Sequence, residues 1–397
     1  MLRSLFSGIS GLRAHQTMLD VTGNNIANVN TTGYKSSQAQ FSDTLSQLVS
    51  AAGAPQNGIG GTNPAQIGLG VRTAGISTNF QQGAAQLTNR STDIMISGDG
   101  FFAVRSGTET LYTRAGSFSF DATGQLVTPE GALVQGWAAD ATGAVDTNGP
   151  LSDLRLPIAT LMGAAASTSA TFEGNLPDDA AVGTVLNRSM DTYDAAGNTV
   201  QLNIAFTRTA AGWDLSGVAG AANGTGTLTF NADGTLDTTG TPGNDGTLTV
   251  GGLTVDLTAL TGYAGITSVE SVTQDGRAAG TLQSFTIGAD GTLLGSFSNG
   301  LKQAIGRIAL ASFSNPGGLE KAGSSTYRTT VNSGAAQVGA AGSNGRGTLT
   351  GGALEMSNVD LSAEFTSLII AQRGFQANSR VITTSDEVLQ ELVNLKR

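Results

Sequence analysis

The sequence predicts a mainly β protein of the α+β class, in which the terminal α-helices form a coiled-coil-like inner domain beside two β-rich domains. Glycine supplies 56 of the 397 residues, about twice its usual share of roughly 7%. Short apolar runs alternate with Gly and Asp turns through the middle of the chain, as in β-rich proteins. Near both ends, apolar residues recur every seven positions, as in long helices that pack in pairs.

The N-terminal helix is predicted from four apolar residues at heptad spacing: Leu5, Leu12, Leu19 and Ile26. Two threonines followed by Gly33 predict that this helix ends near residues 29–33. Asn24 and Asn25 lie inside the helix, although asparagine is a poor helix former because its amide competes for backbone hydrogen bonds.

The C-terminal helix is predicted from six apolar residues in one heptad phase: Leu354, Leu361, Leu368, Phe375, Ile382 and Leu389. Ser357, Asn358 and Asp360 are candidate N-caps, so the dense helical pattern should begin near Ser362. Each terminal helix could pack on its own domain as an ordinary amphipathic helix. Two striped helices could instead pair with each other and with neighbouring copies of the chain.

The segments between the helices predict a connector and two β domains. Residues 36–70 are rich in Ser, Gln and Gly, and we interpret them, with residues 340–353, as an extended or loosely ordered connector. The strand-like runs that follow indicate sandwich or barrel domains. Four glycines are predicted as flexible joints: Gly33, Gly53, Gly342 and Gly345.

Charge separates the middle of the chain from its flanks. The net charge of the chain is −10, and residues 145–281 carry 14 acidic residues against four arginines, which accounts for all of it. This segment is therefore predicted to be a separate, solvent-facing domain. The acidic balance disfavours a nucleic-acid partner. No run approaches the ~18 apolar residues of a membrane span, and the N-terminus lacks the pattern of a cleavable signal peptide.

The residue types argue against an enzyme or a cofactor site. The chain has no cysteine and one histidine, His15, which lies out of phase with the apolar stripe. The Asp-Gly and Asp-x-x-Gly turns lack the spacing of a calcium loop and are better read as hairpin turns. The stretch at residues 68–75 lacks the glycine spacing and the lysine of a phosphate loop. Asp178 and Asp179 are adjacent, so in a strand they would point to opposite faces.

Several stretches resemble the signatures of flagellar rod, hook and hook-associated proteins. The N-terminal stretch at residues 5–35, "LFSGISGLRAHQTMLDVTGNNIANVNTTGYK", looks like the signature that opens this family. The blocks at residues 63–104 and 111–137 are similar to its next shared segments, and the C-terminal stretch from Leu354 is similar to its closing signature. Within the family the hook group matches best, on "SNVDLS" and "FQAN" in that last stretch.

The resemblance implies a layered subunit of a curved tube that transmits torque from rod to filament. It implies four parts: an inner helical domain of residues 1–35 and 354–397, the connector of residues 36–70 and 340–353, a middle β domain of residues 71–144 and 282–339, and an outer acidic β domain of residues 145–281. In such a tube Asn24 and Asn25 would hydrogen-bond to neighbouring copies or face a water-filled channel. Asn28 and Asn30 fit ordinary C-terminal capping.

The resemblance also implies partners and a location. The chain is expected to form a helical homopolymer in the extracellular flagellum. It would meet the distal rod protein, the hook–filament junction protein, the hook cap and length-control proteins, and the flagellar type III export apparatus. A distal rod or other axial protein is the nearest alternative. A secreted β-rich adhesin and a peptidoglycan hydrolase are more distant ones.

Overall fold

In a computed structural model, which describes residues 2–55, 60–140, 142–156, 162–238 and 245–394, the chain divides into two compact units. The basal unit comprises Met1–Leu156, Phe285–Leu294 and Ala304–Arg397. The inserted unit comprises Pro157–Ser284 and Gly295–Gln303. Two long helices, α1 (Leu2–Ala27) and α2 (Leu361–Asn394), belong to the basal unit.

The helix ends follow the caps that the sequence provides. Asp360 Oδ1 accepts hydrogen bonds from the backbone N–H of Ser362 at 2.8 Å and of Ala363 at 3.3 Å, which confirms the predicted N-cap of α2. α1 ends at Ala27, earlier than predicted. There Asn28 donates its amide to the carbonyl of Asn24 at 2.9 Å, as expected for a capping residue.

Residues 37–50 and 65–78 form a two-stranded ribbon, where the sequence had suggested an extended or loosely ordered connector. Its strands are β1 (Ser37–Asp43), β2 (Ser46–Ser50), β3 (Ala65–Gly68) and β4 (Val71–Thr78). β1 pairs antiparallel with β4, and β2 with β3. Strands are recognised in a sequence by an apolar face that alternates with polar residues. These strands are polar and glycine-rich and are held by backbone hydrogen bonds, so their pairing left no sign in the sequence.

A large antiparallel sheet, together with two separate strand pairs, forms the rest of the basal unit. The strands before the inserted unit are β5 (Ala85–Leu87), β6 (Ile94–Ser97), β7 (Phe101–Ser106), β8 (Glu109–Thr113), β9 (Ser119–Phe120), β10 (Leu126–Val127), β11 (Leu133–Ala138) and β12 (Ser152–Asp153). The separate pairs contain β5 and β6. Strand β7 is buried on both faces: Phe102 and Val104 enter one apolar cluster, and Phe101 and Ala103 enter the other. The two clusters lie on opposite faces because successive side chains of a strand point in opposite directions.

The inserted unit is a sandwich of two four-stranded sheets. Its strands are β13 (Ser169–Asn175), β14 (Val185–Tyr193), β15 (Thr199–Arg208), β16 (Trp213–Ala219), β17 (Ala222–Leu228), β18 (Thr247–Val250), β19 (Leu253–Thr261) and β20 (Glu270–Gln274). One sheet has the order β18-β19-β13-β20, and the other β14-β15-β16-β17. Inward-facing residues of both sheets, among them Phe172, Ile204, Trp213 and Val255, form a single core.

The remaining strands follow the inserted sandwich in the chain, and all but the last two, which pair separately with β6 and β5, join the large sheet. They are β21 (Leu282–Ile287), β22 (Thr292–Phe297), β23 (Lys302–Ser312), β24 (Glu320–Gly323), β25 (Thr326–Arg328), β26 (Gln337–Ala340), β27 (Thr348–Gly351) and β28 (Ala353–Glu355), with a 3₁₀ turn at Pro316–Gly318. The centre of the sheet has the order β23-β11-β7-β8-β25-β24.

The inserted unit begins later than residue 145, the predicted start of the acidic domain. Residues 152 and 153 pair with β11 as strand β12, and Leu154 is buried in the basal core. The charge count could not locate this boundary, because it assigned Asp153 to the acidic segment although Asp153 forms an ion pair with Arg105 of the basal sheet. The division of the chain into inner, connecting, middle and outer parts stays a prediction.

Candidate assembly interface

The terminal helices pack antiparallel through small and polar residues. A Cβ built on Gly11 would lie 2.7 Å from Oδ1 of Asn378, and a Cβ built on Gly374 would lie 2.4 Å from Cε1 of His15. Glycine leaves room for these neighbours, so the backbones of α1 and α2 approach closely at both points. Further along the pair, Asn25 contacts Glu364, which fixes the antiparallel direction.

The predicted leucine seam lies at the edges of this contact. The seam residues of α1 are all half-buried: Leu5, Leu12, Leu19 and Ile26. Those of α2 are half-buried (Leu368, Ile382, Leu389) or 39% exposed (Leu361, Phe375). The face of α1 that is buried comprises Gly8, Gly11, Ala14, Thr22 and Asn25. The heptads identified the helices but not this face, because leucines cannot fit where the backbones approach so closely. Whether the seam residues contact neighbouring copies stays a prediction.

Asn25 joins three segments of its own chain. Its side chain is 1% exposed. Its Nδ2 donates to the carbonyl of Ser37 at 2.7 Å and to Glu364 Oε1 at 2.8 Å, and its Oδ1 accepts from the backbone N–H of Ser37 at 3.0 Å. The amide is therefore engaged inside the subunit, and a further contact of Asn25 with a neighbouring copy stays a prediction.

Asn24, in contrast, is exposed. Its Oδ1 accepts from Asn28 Nδ2 at 2.9 Å and from the Tyr34 hydroxyl at 3.0 Å. These bonds order the turn that follows α1 while leaving the residue open to solvent. A contact between Asn24 and a neighbouring copy stays a prediction.

A buried ion cluster links the end of the N-terminal region to the sheet. The Lys35 and Glu355 side chains are both 0% exposed, and Lys35 Nζ lies 2.6 Å from Glu355 Oε1. Arg114 Nη1 lies 3.5 Å from the other carboxylate oxygen. Burial lowers the pKa of Lys35 even though its bond to Glu355 acts in the opposite direction. Sequence reasoning missed this cluster, since its members are distant in the chain.

The glycines predicted as flexible joints lie in tight or turning backbone: Gly33, Gly53, Gly342 and Gly345. Gly33 has φ +66°, and a Cβ there would lie 2.5 Å from the backbone N of Ala115. Gly342 and Gly345 have φ +73° and +77°. Proline is fixed near −65°, so it could not replace either glycine without breaking this turn. Flexibility at the four glycines stays a prediction.

The ribbon and the first turns of α2 each expose a group of large apolar side chains. On the ribbon these are Leu45, Leu48, Val49, Ile67, Leu69 and Ile76, and on the first turns of α2 they are Leu361, Phe365, Ile369 and Ile370. Sequence reasoning singled out Leu361 from the helical set, but not Phe365, Ile369 or Ile370. The signal was present in Leu368–Ile370, because three consecutive apolar residues cannot all face one side of a helix.

The described residues offer little for catalysis or metal binding. Among them, no three His, Cys, Asp or Glu residues lie close enough to hold a metal ion. Asp178 pairs with Arg208, and Asp179 accepts from the backbone N–H of Gly265, so both have structural partners. No described helix is long and apolar enough to cross a membrane.

The aspartate turns are closed by their own side chains. Asp121 Oδ1 accepts from the backbone N–H of Thr123 at 2.9 Å and of Gln125 at 2.8 Å. These bonds, chiefly that from Gln125, lower the pKa of Asp121. Asp140 and Asp194 repeat the pattern, which supports hairpin turns over calcium loops.

Four family profiles match successive parts of the chain. "Flagella basal body rod protein" matches residues 5–35, and "Flagellar hook protein FlgE/F/G D1 domain" matches residues 95–174. "Flagellar basal body protein FlaE D2 domain" matches residues 164–277. "Flagellar basal body rod FlgEFG protein C-terminal" matches residues 350–395.

Relatives match over the full length. The flagellar hook protein FlgE of Borreliella burgdorferi is 40% identical over all of both chains, and that of Salmonella typhimurium is 36% identical over 99% of this chain and all of the relative. The flagellar basal-body rod protein FlgG of Bacillus subtilis is 35% identical over all of both chains. The crystal structure of Helicobacter pylori flagellar hook protein FlgE2 shares the fold, with a TM-score of 0.53 at 14% identity over 66% of this chain and 98% of that one. The chain belongs to the family of flagellar hook proteins.

Proposed function

We propose that this chain is a structural subunit of the bacterial flagellar hook and polymerises into a curved tube that transmits torque from rod to filament. The exposed apolar surfaces of α2 and of the ribbon carry the proposal, because large apolar patches on a protein surface mark interaction sites. Full-length similarity to hook proteins supports it.

In this proposal the polymer is built in layers from the inside outward. Residues 1–35 and 354–397 line the channel, and residues 36–70 and 340–353 connect them to the middle shell. Residues 71–144 and 282–339 form that shell, and residues 145–281 form the outer layer. The charge supports this order, since the whole net charge of −10 resides in the outer segment and an outermost domain faces solvent.

Assembly rests on burying side chains that a single copy leaves open. The proposed interface residues of the inner layer are Leu5, Leu12, Leu19, Asn24, Ile26, Leu361, Leu368, Phe375, Ile382 and Leu389. Burying an exposed Leu, Ile or Phe fully contributes about 1.5–3 kcal/mol before ordering costs. Head-to-tail contacts between identical copies generate open helical polymers rather than closed oligomers.

The proposed location and partners follow from the family. The chain would reach the extracellular flagellum through the flagellar type III export apparatus. It would contact the distal rod protein below and the hook–filament junction protein above. During growth it would meet the hook cap and length-control proteins.

Electron microscopy of the purified full-length chain, concentrated under polymerising conditions, tests the proposal. Curved tubes are expected. Monodisperse particles under every condition would contradict it.

A distal rod subunit is the second candidate, favoured by the full-length similarity to the Bacillus subtilis rod protein. Genetic complementation separates the two. A hook subunit restores hooks in a strain without its own hook protein, whereas a rod subunit restores only a strain that lacks the distal rod protein.

A further inference from the structure

One face of the β2–β3 ribbon is apolar and open to solvent. Ile67 lies opposite Gln47 in the pairing of the two strands. Leu45 and Leu69 lie just outside these strands, between the pairs Ser46–Gly68 and Asp43–Val71, which share the same register; they therefore fall two positions from Gln47 and Ile67, on the same side of the ribbon. Their exposed fractions are 84% for Leu45, 49% for Ile67 and 42% for Leu69. We call Leu45, Ile67 and Leu69 the ribbon face.

The first turns of α2 present a matching stripe. Leu361, Phe365 and Ile369 are spaced four residues apart and therefore lie on one side of the helix; we call them the helix stripe. Phe365 is 50% exposed and Ile369 is 55% exposed. Leu361 and Ile369 lie about 12 Å apart along the helix axis, and Ile67 and Leu69 lie about 7 Å apart along their strand, so the ribbon face is long enough to cover two consecutive members of the helix stripe.

Charge also favours contact between these surfaces. Residues 44–70 contain no charged residue, and residues 365–372 contain none either. Glu364 is the one charged residue between Leu361 and Ile369, and it already accepts a hydrogen bond from Asn25 of its own chain. Contact between the two surfaces therefore adds little burial of ionised side chains, which is the main cost of burying a surface.

Within one chain the two surfaces cannot meet. The ribbon runs beside the N-terminal half of α1, where the backbone N–H of Val71 donates to Ser10 Oγ at 3.2 Å. That part of α1 packs beside Asn378 of α2. Nine residues of helix separate Asn378 from Ile369, which is about 13 Å along the axis.

We propose that the ribbon face of one copy packs on the helix stripe of a neighbouring copy, a contact that rests on the proposed polymerisation and names its partner surfaces. The contact joins two different surfaces of the same chain. It is therefore head-to-tail and can repeat along a polymer without closing.

Cysteine cross-linking tests the contact directly, because the chain has no cysteine of its own. Tubes of the double variant I67C/I369C are oxidised with a copper–phenanthroline catalyst and separated by denaturing electrophoresis without reductant. A ladder of covalent oligomers is expected, since disulfide formation needs Cα atoms within about 7 Å. L48C/I369C is the matched control: Leu48 is similarly exposed but lies on the opposite side of the ribbon.

A charge exchange provides a second, independent readout. I67E and I369K should each lower the yield of sedimentable tubes roughly tenfold or more, because each buries an unpaired charge. The double variant I67E/I369K should recover most of the yield. Circular dichroism of each variant confirms that the fold is retained.

The outcomes separate the contact from the proposed function. Tubes with a ladder in I67C/I369C but not in L48C/I369C support the contact. Tubes with no ladder in I67C/I369C, or with equal ladders in both variants, overturn it and leave the hook assignment standing. Failure of the unaltered chain to form any tube contradicts the hook assignment, and the contact with it.

Discussion

At the scale of single residues, two glycines set how closely the terminal helices approach. Gly374 faces the His15 ring, and Gly11 faces Asn378. Heptad spacing could not reveal this face, because a pattern search weighs large apolar residues and passes over glycine. The sequence did show that Asn25 lies within a helix, but its partners come from β1 and α2, which no local pattern connects.

Substituting alanine for Gly374 should weaken assembly. The added Cβ would lie 2.4 Å from the His15 ring, so the helices must separate or the ring must move. The matched control is G23A, since a Cβ on Gly23 would meet nothing within 4 Å and alanine favours a helix by about 0.5–1 kcal/mol. Sedimentation gives the critical concentration for tube formation. Equal values for G374A and G23A would count against a close helix contact in the tube.

Removing Lys35 should destabilise the basal unit. In K35M, Glu355 loses its nearest cation inside a buried site, and breaking a buried ion pair costs roughly 3–5 kcal/mol. Urea unfolding followed by Trp137 fluorescence reports on the basal unit, while Trp213 reports on the inserted unit. E109Q, which breaks the exposed pair with Arg328, should change little. If K35M were as stable as E109Q, the cluster would not hold these segments together.

The stability of the inserted unit should fall in acid partly through Asp275. Burial raises its pKa, but hydrogen bonds from Ser169 and Thr168 outweigh this and lower it from 3.8 to about 2. The folded state thus holds its proton less tightly than the unfolded state, so the stabilisation is present above about pH 4 and lost as the pH falls toward 2. D275N should flatten the pH dependence in that window. D191N, at an exposed site on β14, is the control, and identical acid profiles for the two variants would exclude this role.

At the scale of elements, both helices and the strand-rich middle were predictable, whereas the ribbon was not. The helices have a clear seven-residue period, and their order along the chain places them at the ends. The ribbon owes its form to backbone pairing between β1 and β4. Its apolar residues remain outside, so they produce no amphipathic signature of a buried face.

The helices should be mobile in the monomer and become ordered in the polymer. Their mutual contact is made by small and polar residues and buries little apolar surface, and such helices are marginal in water without further packing. Hydrogen exchange on the monomer should show fast exchange for residues 2–28 and for α2, with slow exchange for the core strands β15 and β16 as reference. Strong protection of residues 2–28 in the monomer would contradict this.

At the scale of the whole molecule, charge and length located an inserted domain but not its first residue. The acidic excess begins near residue 145, yet β12 and Leu154 keep residues up to 156 in the basal unit. Composition averages over a segment, while a domain boundary depends on where single side chains are buried. Recognition of the family from the sequence did not depend on that boundary, since the signatures that carried it lie in residues 5–35, 63–137 and 354–397.

A helical reconstruction by electron cryomicroscopy of tubes formed by the purified chain tests the central claim most directly. We predict that α1 and α2 lie at the smallest radius around an open channel, with the inserted unit at the largest radius. A tube with the helices outside, or a chain that forms no tube, would contradict the account.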